Sequence, residues 1–600
     1  MFFHNLRPLF PYLRKYWRGY LVGAVSVLLT NIIWVQFPQV IKSVTDDLNR
    51  GHLQKTLLFY ALLLIAIAVG KGIFQFLTRW ILIGISRDIE FDLRNDMFRH
   101  LESLSYEFYQ QTRTGDIMAR ATNDLNAVRM LLGPAIMYSA NTIVFTIAAL
   151  YYMIGISPKL TMWAFLPLPV ASIVVQYFGR QIHERFERIQ AMFSEISARV
   201  QENFSGARII RAFAQEESEI RGFERDNTEY INRSLKLVRL MGMLWPTLET
   251  MLGIAIAIVL WVGGSEVLEG RITAGDFTAY LVYMFQLTWP IIALGWVINI
   301  FQRGTASMGR IAQIMQVQPE IKDDPTQVRF RDGEPIRGEI EFRSLTFAHP
   351  REINSNGGDV LALSHEPGKP VLHGINLKIP AGTSLAIVGP TGSGKSTLVQ
   401  LIPRIYDAEP GSVLIDGRPI REYSLAWLRR NIGFVPQETF LFSDTIRENI
   451  SFGAEHATDD DVRRAAQVAR IASEIESFPE GYATMVGERG LTLSGGQKQR
   501  TAIARAVIRD PRILVLDDAL ASVDTQTEDY ILNHLREVMK GRTTIFISHR
   551  VSTVRNADRI AVLHHGQIVE CGTHEELIAM NGYYTDLHNK QLLEEELETV

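Results

Sequence analysis

The chain contains only one cysteine, Cys571, so no internal disulfide bond can stabilise it. A lone thiol fits a reducing cytosol around the segment that carries it, and a packing role is its ordinary interpretation. Net charge is also small: the formal charge is -4 and the pI is near 6.4, which gives no electrostatic reason to expect nucleic acid as a partner. A length of 600 residues exceeds what one hydrophobic core organises and predicts several domains.

Charge is almost missing from long stretches of the first half. Six apolar runs are each close to the roughly 20 residues that a helix needs to cross a bilayer. They lie at about residues 19–41, 57–78, 133–157, 160–180, 240–264 and 277–301. Buried helices of a soluble domain are a poor alternative, because 133–157 has no charge at all. A cleavable signal peptide is disfavoured, since no small-residue cleavage pattern follows the first run. The sequence predicts a transmembrane domain of six α-helices over residues 1–317.

Basic residues are unevenly distributed between the loops. They cluster before the first run and in the segments 87–129 and 180–239, whereas the loop at 265–276 is mainly acidic. Basic loops stay on the cytoplasmic side, so we expect a multi-pass protein of a bacterial-type inner or plasma membrane with both termini in the cytoplasm.

The two basic segments have helical periodicity and extend the spans into the cytoplasm. Short breaks at Thr114–Asp116 and at Ser205–Gly206 are expected to form their tips, where another domain docks. Polar, turn-rich residues at 318–337 predict a linker. The alternating strand and helix patterns of 338–587 predict an α/β domain, followed by an acidic tail at 588–600.

A glycine-rich stretch in the α/β domain matches the phosphate-binding loop G-x-x-x-x-G-K-[ST]. An apolar strand is predicted before it at 384–388 and a helix after it. Its glycines let backbone N–H groups surround a triphosphate, the lysine adds positive charge, and the serine hydroxyl can hold Mg²⁺. The loop consists of Gly389, Pro390, Thr391, Gly392, Ser393, Gly394, Lys395, Ser396 and Thr397. The fold class is therefore multi-domain: six membrane helices fused to an α/β P-loop nucleotide-binding domain.

Two further patterns accompany this loop. The run 513–517 is a predicted apolar strand that ends in Asp517, which is expected to hold Mg²⁺ together with Ser396. Asp518 follows directly and can accept a proton from an attacking water or orient that water. A second anion-binding helix start, with the helix running from Gln497 onward, is predicted at Ser494, Gly495, Gly496 and Gln497.

The ordered motifs GPTGSGKST, FVPQE, VGERG, LSGGQKQR, LVLDD, SVD and ISHR resemble those of ATP-binding cassette (ABC) transporters. Six preceding spans with long cytoplasmic extensions are similar to the type IV, multidrug-exporter-like branch. The resemblance implies ATP and Mg²⁺ as cofactors and a second half-transporter as partner. In that family each ATP lies between one chain's phosphate loop and the other chain's signature, here Ser494 to Gln497.

The resemblance also implies roles for individual residues. Gln437 matches the glutamine that touches Mg²⁺ and the membrane domain, His549 matches the switch histidine at the γ-phosphate, and Asp524 matches the aspartate that crosses the dimer. Residues 486–490 resemble the segment that meets the coupling helices. Residues 106–124 and 202–216 are similar to the two intracellular loops, the second of which reaches the partner's cassette.

Two positions depart from the family pattern. Asp518 stands where the family usually has Glu, and one methylene less of reach predicts slow hydrolysis at this site. The same change is familiar in heterodimeric exporters, which favours a heterodimer, while a homodimer stays open. His349 stands where a tyrosine often stacks on adenine; stacking and an ordinary surface histidine are both possible. The stretch 351–369 is interpreted as an insertion without catalytic meaning.

The spans offer few groups that identify a substrate. Glu249 and Lys71 can line a cavity or pair with other helices, and helix packing is the simpler interpretation for each. The family resemblance favours ATP-driven efflux of an amphipathic small molecule or a lipid, with membrane lipid as surroundings and no nucleic acid. An importer built on the exporter fold and a regulatory cassette gated by nucleotide are the alternatives.

Overall fold

A computed structural model describes residues 5–50, 56–330, 333–350, 367–454, 456–487, 490, 492–519, 539–548 and 551–598. The chain forms two compact units. One comprises Met1–Asp96 and Arg120–Ala312, and the other comprises Met97–Ala119 and Gln313–Val600. The first intracellular segment therefore folds as part of the second unit, whereas the sequence-based division cuts the chain once, near residue 317.

The described residues contain six helices that are long and apolar enough to cross a membrane, as predicted. Their lengths of 33 to 53 residues exceed the predicted apolar runs, so the helices continue beyond them. They are Trp17–Asn49, Leu57–Ser103, Thr114–Ile156, Pro158–Ser205, Glu216–Leu268 and Ala274–Gln316. Short helices at Arg7–Leu9 and Phe10–Lys15 precede them.

Buried tyrosines join the helices of the first unit. The Tyr283 hydroxyl donates to the Val35 carbonyl at 2.7 Å and accepts from the Gln39 amide at 2.9 Å. Such bonds matter in an apolar core, because a buried hydroxyl without a partner is costly. Pro246 and Pro290 lie inside continuous helices. Membrane helices tolerate such prolines because neighbouring groups form hydrogen bonds with the carbonyls that lose their helical partner.

The tip of the first intracellular loop is the short helix Tyr106–Gln111. The helix ends before Thr112, whose backbone is extended. The predicted break at Thr114–Asp116 is therefore wrong, because the observed break begins two residues earlier. Thr114 already begins the next helix, Thr114–Ala119, with the acidic Asp116 in its first turn, where the helix dipole favours a negative charge. In the second loop, helix Leu168–Ser205 ends at the predicted break and Ala207–Ala212 forms the tip.

The second unit carries two sheets and short helices. Its strands, numbered β1 to β10, are Ile340–Pro350, Pro367–Ile379, Ser384–Val388, Val413–Ile415, Arg418–Pro419, Ile432–Val435, Ile513–Asp517, Thr543–Ile547, Arg559–His564 and Gln567–Gly572. Its helices beyond residue 317 are Lys395–Gln400, Leu425–Arg430, Ile446–Ser451, Asp459–Val468, Ala472–Ser477, Gly495–Val507, Val551–Val554, His574–Met580 and Tyr583–Glu598, with 3-10 turns at Ile420–Glu422 and Gly481–Ala483. The last long helix runs through residue 588, the predicted start of the acidic tail.

One sheet has the order β2-β1-β4-β5 and pairs antiparallel, and the other has the order β10-β9-β3-β8-β7-β6. In the second sheet, β3, β8, β7 and β6 are parallel neighbours. The predicted strands at 384–388 and 513–517 are β3 and β7, and every residue of β7 is buried. Because parallel strands end at one edge, the loop after β3 and the acid at the end of β7 meet there.

Candidate nucleotide-binding site

The phosphate loop needs glycine at two positions for different reasons. Gly389 has φ +149°, and a Cβ there would lie 2.0 Å from the Leu563 carbonyl oxygen, so no side chain fits. Gly394 has φ +99°, which side chains rarely adopt, and it directly precedes helix Lys395–Gln400. The sequence therefore forms a tight backbone curve whose N–H groups are available to an anion.

The Lys395 side chain lies inside the curve of this loop and bonds to its first two residues. Its ammonium Nζ donates to the Gly389 and Pro390 carbonyls, both at 2.9 Å, and the residue is buried. Burial lowers the pKa of Lys395, and the nearby Asp518 and Asp517 carboxylates oppose that shift. The loop thus holds a desolvated positive charge at the position where a triphosphate would lie.

Ser396 and Asp517 form the acidic side of the site. The Ser396 hydroxyl donates to Asp517 Oδ1 at 2.9 Å. Burial raises the pKa of Asp517, the Ser396 hydrogen bond opposes that shift, and the charge of Asp518 adds to it. Within the described residues Asp517 Oδ2 is buried without a hydrogen-bond partner. Mg²⁺ prefers oxygen ligands, and the Ser396 hydroxyl oxygen and the unpaired Asp517 Oδ2 are of this kind. These residues therefore fit the ion.

A cavity of about 230 Å³ joins these groups. It collects three predicted site residues from outside the loop, Gln437, Asp517 and Asp518, with six residues of the loop: Thr391, Gly392, Gly394, Lys395, Ser396 and Thr397. Val371 and Ile547 also line it and were not predicted. Ile547 is the last residue of β8, which pairs with β7. It reaches the site only because of this strand order, which cannot be inferred from the sequence.

Asp518 has an unusual backbone. Its φ is +49°, in the left-handed region that Asp enters more readily than most residues, and its N–H donates to the Ile547 carbonyl at 3.2 Å. The side chain therefore leaves the sheet at the cavity, beside the carboxylate of Asp517.

His349 contacts the loop from the neighbouring sheet. Its Nε2 lies 3.2 Å from the Thr397 hydroxyl oxygen, and its ring meets the rings of Phe347 and Tyr406 edge to face at 5.0 and 4.9 Å. Burial lowers the pKa of His349, so the neutral ring predominates at pH 7. His349 is therefore a half-buried side chain packed against the phosphate loop, and its stacking on adenine stays a prediction.

Tyr406 belongs to none of the sequence motifs and was not predicted as a site residue. Its ring contacts His349, and its hydroxyl donates to the Gln110 side-chain oxygen at 2.9 Å. Gln110 lies on the loop-tip helix Tyr106–Gln111, and the ring of Tyr106 also meets that of Tyr406 edge to face at 6.1 Å. Within the second unit, Tyr406 therefore connects His349, the residue predicted to stack on adenine, to the first intracellular loop.

The signature residues form a capped helix start away from this cavity. Ser494 caps helix Gly495–Val507, two residues earlier than predicted: its hydroxyl accepts the Gln497 N–H at 3.3 Å, and its own N–H donates to the Gln497 side chain at 2.9 Å. None of Ser494, Gly495, Gly496 and Gln497 is among the residues that line the phosphate-loop cavity.

Some predicted features lie outside the described residues. These are Asp524, His549, residues 351–366 of the predicted insertion, and residues 488–489 of the segment 486–490.

Comparisons with known proteins extend these observations over the chain. The family model of the ABC transporter transmembrane region matches residues 20–291, and the family model named ABC transporter matches residues 372–521. The probable multidrug resistance ABC transporter ATP-binding/permease protein YheI of Bacillus subtilis is 36% identical over 594 residues, covering 98% of each chain. The ATP-dependent lipid A-core flippase of Desulfotalea psychrophila is 36% identical, covering 91% of this chain and 93% of that protein.

A solved structure supports the same conclusion. A bacterial Atm1-family ABC exporter with ATP bound matches with a TM-score of 0.76 at 28% identity, over 96% of this chain and 98% of that one. The resemblance drawn from the motifs is confirmed over nearly the whole length. The chain is an integral membrane protein that belongs to the family of ATP-binding cassette transporters.

Proposed function

We propose that this chain is half of an ATP-driven exporter that moves amphipathic small molecules or lipids across the cell membrane. The observation that carries the proposal is a cavity that collects the phosphate loop, Gln437 and two carboxylates in the same chain as six apolar helices. A multidrug resistance transporter and a lipid A-core flippase among the relatives support efflux of amphipathic compounds.

Transport into inside-out vesicles tests the direction. ATP should drive accumulation of a labelled amphipathic compound, and Lys395→Ala should abolish it because the triphosphate loses its charge partner. ATP-driven depletion from such vesicles would instead support an importer on the exporter fold. ATP-dependent conduction without accumulation would support a gated regulatory cassette.

The residues of the cavity divide the work of ATP turnover. The loop N–H groups and Lys395 hold the triphosphate, and Ser396, Asp517 and Gln437 hold Mg²⁺, which supplies charge neutralisation at the phosphates when bound. Asp518 orients the attacking water or accepts its proton. By family resemblance, His549 contacts the γ-phosphate and Asp524 crosses the dimer. His349 supports the adenine ring.

A second half-transporter completes the site. The signature helix start lies outside the cavity of its own phosphate loop, so the Ser494 to Gln497 segment is free to close over the partner's ATP. We favour a heterodimer because Asp518 makes this chain's site the slower one, with a homodimer as the alternative. In a heterodimer, removing the partner's catalytic Glu should stop most turnover. Fast hydrolysis by this chain alone, lost in Asp518→Ala, would favour the homodimer.

The second intracellular loop is the proposed contact with the partner's cassette. Phe204, Ile209 and Phe213 are 79%, 65% and 73% exposed at the loop tip, an apolar surface that needs a cover. Phe213→Ser should reduce transport per ATP hydrolysed while leaving ATP binding by this chain intact. Unchanged transport per ATP would argue against docking there.

Both termini are proposed to be cytoplasmic, since the basic segments 87–129 and 180–239 alternate with the acidic loop at 265–276. The single cysteine makes a direct test simple. In a Cys571→Ser background, a cysteine introduced at Gly270 should react with an impermeant maleimide from outside the cell, and one introduced at Arg7 should not. The reverse pattern would invert the topology.

A further inference from the structure

The first unit contains an apolar cavity of about 230 Å³ among the last four of its six long helices. Fourteen residues line it, and Glu249 is the only one with an ionisable side chain. Its size is below the roughly 300–1,000 Å³ of sites for drug-sized ligands, so it suits a compact molecule or the head of a longer one. Met153, Met251 and Met284 line it, and methionine adapts to ligands of different shape.

Glu249 has no hydrogen bond or ion pair with any residue that the structure describes. The neighbouring hydroxyl of Thr288 is already used, because it donates to the Met284 carbonyl at 3.3 Å. Lys71 does not balance the charge either: its ammonium lies 4.0 Å from the centre of the Trp34 ring, and neither residue lines the cavity. Glu249 is therefore an exposed acidic residue within an apolar run that lines this apolar cavity, and no described residue supplies its counter-charge.

An uncompensated charge within a membrane helix is costly, so an acidic residue at this position is a candidate site for a cation. Two aromatic residues of the lining, Trp245 and Phe165, add flat faces that attract a cation and cover an apolar body. A phosphorylated lipid head group would meet the wrong sign of charge here, since the lining contains no basic residue.

We propose that this cavity binds amphipathic organic cations, with Glu249 as the counter-charge and the methionine and aromatic side chains as the apolar cradle. The proposal rests on the proposed export function and narrows its substrate class. The proposal distinguishes this chain from a carrier of anionic lipids, because the one ionisable side chain in the cavity lining is acidic.

The test uses three compact probes of nearly the same shape: trimethylphenylphosphonium, which is cationic, trimethylphenylsilane, which is neutral, and trimethylphenylborate, which is anionic. Binding to the assembled transporter is measured without ATP in lipid nanodiscs. The wild type should bind the phosphonium at least about 10-fold more tightly than the silane, and the borate least, as expected for a partly desolvated ion pair.

Three variants isolate the charge. Glu249→Gln keeps the shape and should lose the preference for the cation, whereas Glu249→Asp should retain most of it. Thr288→Val changes a polar residue of the same cavity without changing charge, and should leave the preference intact. The phosphonium should also protect Glu249 from a membrane-permeant carbodiimide in the wild type.

Two results would overturn the proposal: equal phosphonium binding by wild type and Glu249→Gln, or tighter binding of the borate. A Glu249 that reacts with carbodiimide in the isolated chain but not in the assembled transporter would also overturn it, because the partner would then fill the cavity. A separate arm measures ATP-driven accumulation of the phosphonium in vesicles. Charge-selective binding with no accumulation would count against export while supporting the binding site.

Discussion

The Ser396 hydroxyl hydrogen-bonds Asp517 Oδ1 at 2.9 Å, although 121 positions separate the two residues. The bond exists because β3 and β7 flank β8 as parallel strands and end at the same edge of the sheet. It leaves the second oxygen of Asp517 buried and without a partner in the described part of the chain. The ligand-free site therefore holds a carboxylate in a poorly solvated environment.

Asp517→Asn should stabilise the ligand-free protein and abolish its response to Mg²⁺ and ATP. Burial raises the pKa of Asp517 above its ordinary 3.8, so ionisation of this group in the folded state costs free energy. Stability of the ligand-free wild type should therefore fall as pH rises through that raised pKa, and the variant should lose this dependence. We therefore expect thermal unfolding near pH 7 to give a higher Tm for the ligand-free variant than for the ligand-free wild type.

Ser396→Ala is the matched control for that prediction. It removes the hydrogen bond that stabilises the Asp517 carboxylate, so the ligand-free protein should become less stable, the opposite direction. Loss of stability in Asp517→Asn without ligand would contradict the prediction.

Asp518→Glu should accelerate ATP hydrolysis at this chain's site. The extra methylene restores about 1 Å of reach, and a misplacement of that size can cost on the order of 10²-fold in rate. The gain is opposed by the backbone, because φ +49° suits Asp better than Glu. Single-turnover hydrolysis, with the partner's own site inactivated, measures the change. Asp518→Asn is the control, and an Asp518→Glu rate no higher than its rate would contradict the assignment.

His349 should contribute to ATP affinity as a neutral ring. Burial lowers the pKa of His349 below its ordinary 6.5. The ring is therefore mostly neutral at pH 6.5 and above, and it becomes charged only at lower pH. ATP affinity should then be flat between about pH 8 and 6.5, by a fluorescent nucleotide assay. His349→Ala should weaken binding several-fold and His349→Tyr should not. A His349-dependent change in affinity between about pH 8 and 6.5 would show that the pKa of the ring is not lowered.

Tyr406→Phe should reduce transport per ATP hydrolysed while leaving ATP affinity nearly unchanged. The substitution keeps the ring against His349 and removes only the 2.9 Å hydrogen bond to Gln110. Gln110→Ala should have a similar effect, and the double variant should be no worse than either single one, because both remove one interaction. Additive losses would indicate that the two residues act separately.

The sequence predicted the parts of this protein that carry strong local patterns. The six spans, β3, β7 and the phosphate loop follow from apolar runs and from glycines at fixed spacing. The start of the signature helix was predicted two residues late, although a signal was present. Ser494 followed three residues later by Gln497 is a capping box, which fixes the helix start at the serine.

Other site features depend on tertiary structure alone. Tyr406 has no motif of its own, and its partner Gln110 is 296 positions away. Val371 and Ile547 reach the cavity only because of the order in which strands pair. Such contacts are set by which surfaces pack together, and no local spacing encodes them.

The assignment of Met97–Ala119 to the same compact unit as residues beyond Gln313 changes how this transporter should be cut and recombined. A cassette excised at the linker would lack a piece of its own unit and would leave Tyr406 without Gln110. A chimera that exchanges the cassette for a relative's should carry this loop with it, so that the pair is inherited together. This compact unit is thus encoded by two separate stretches of the gene, and a single crossover at the linker would exchange only one of them.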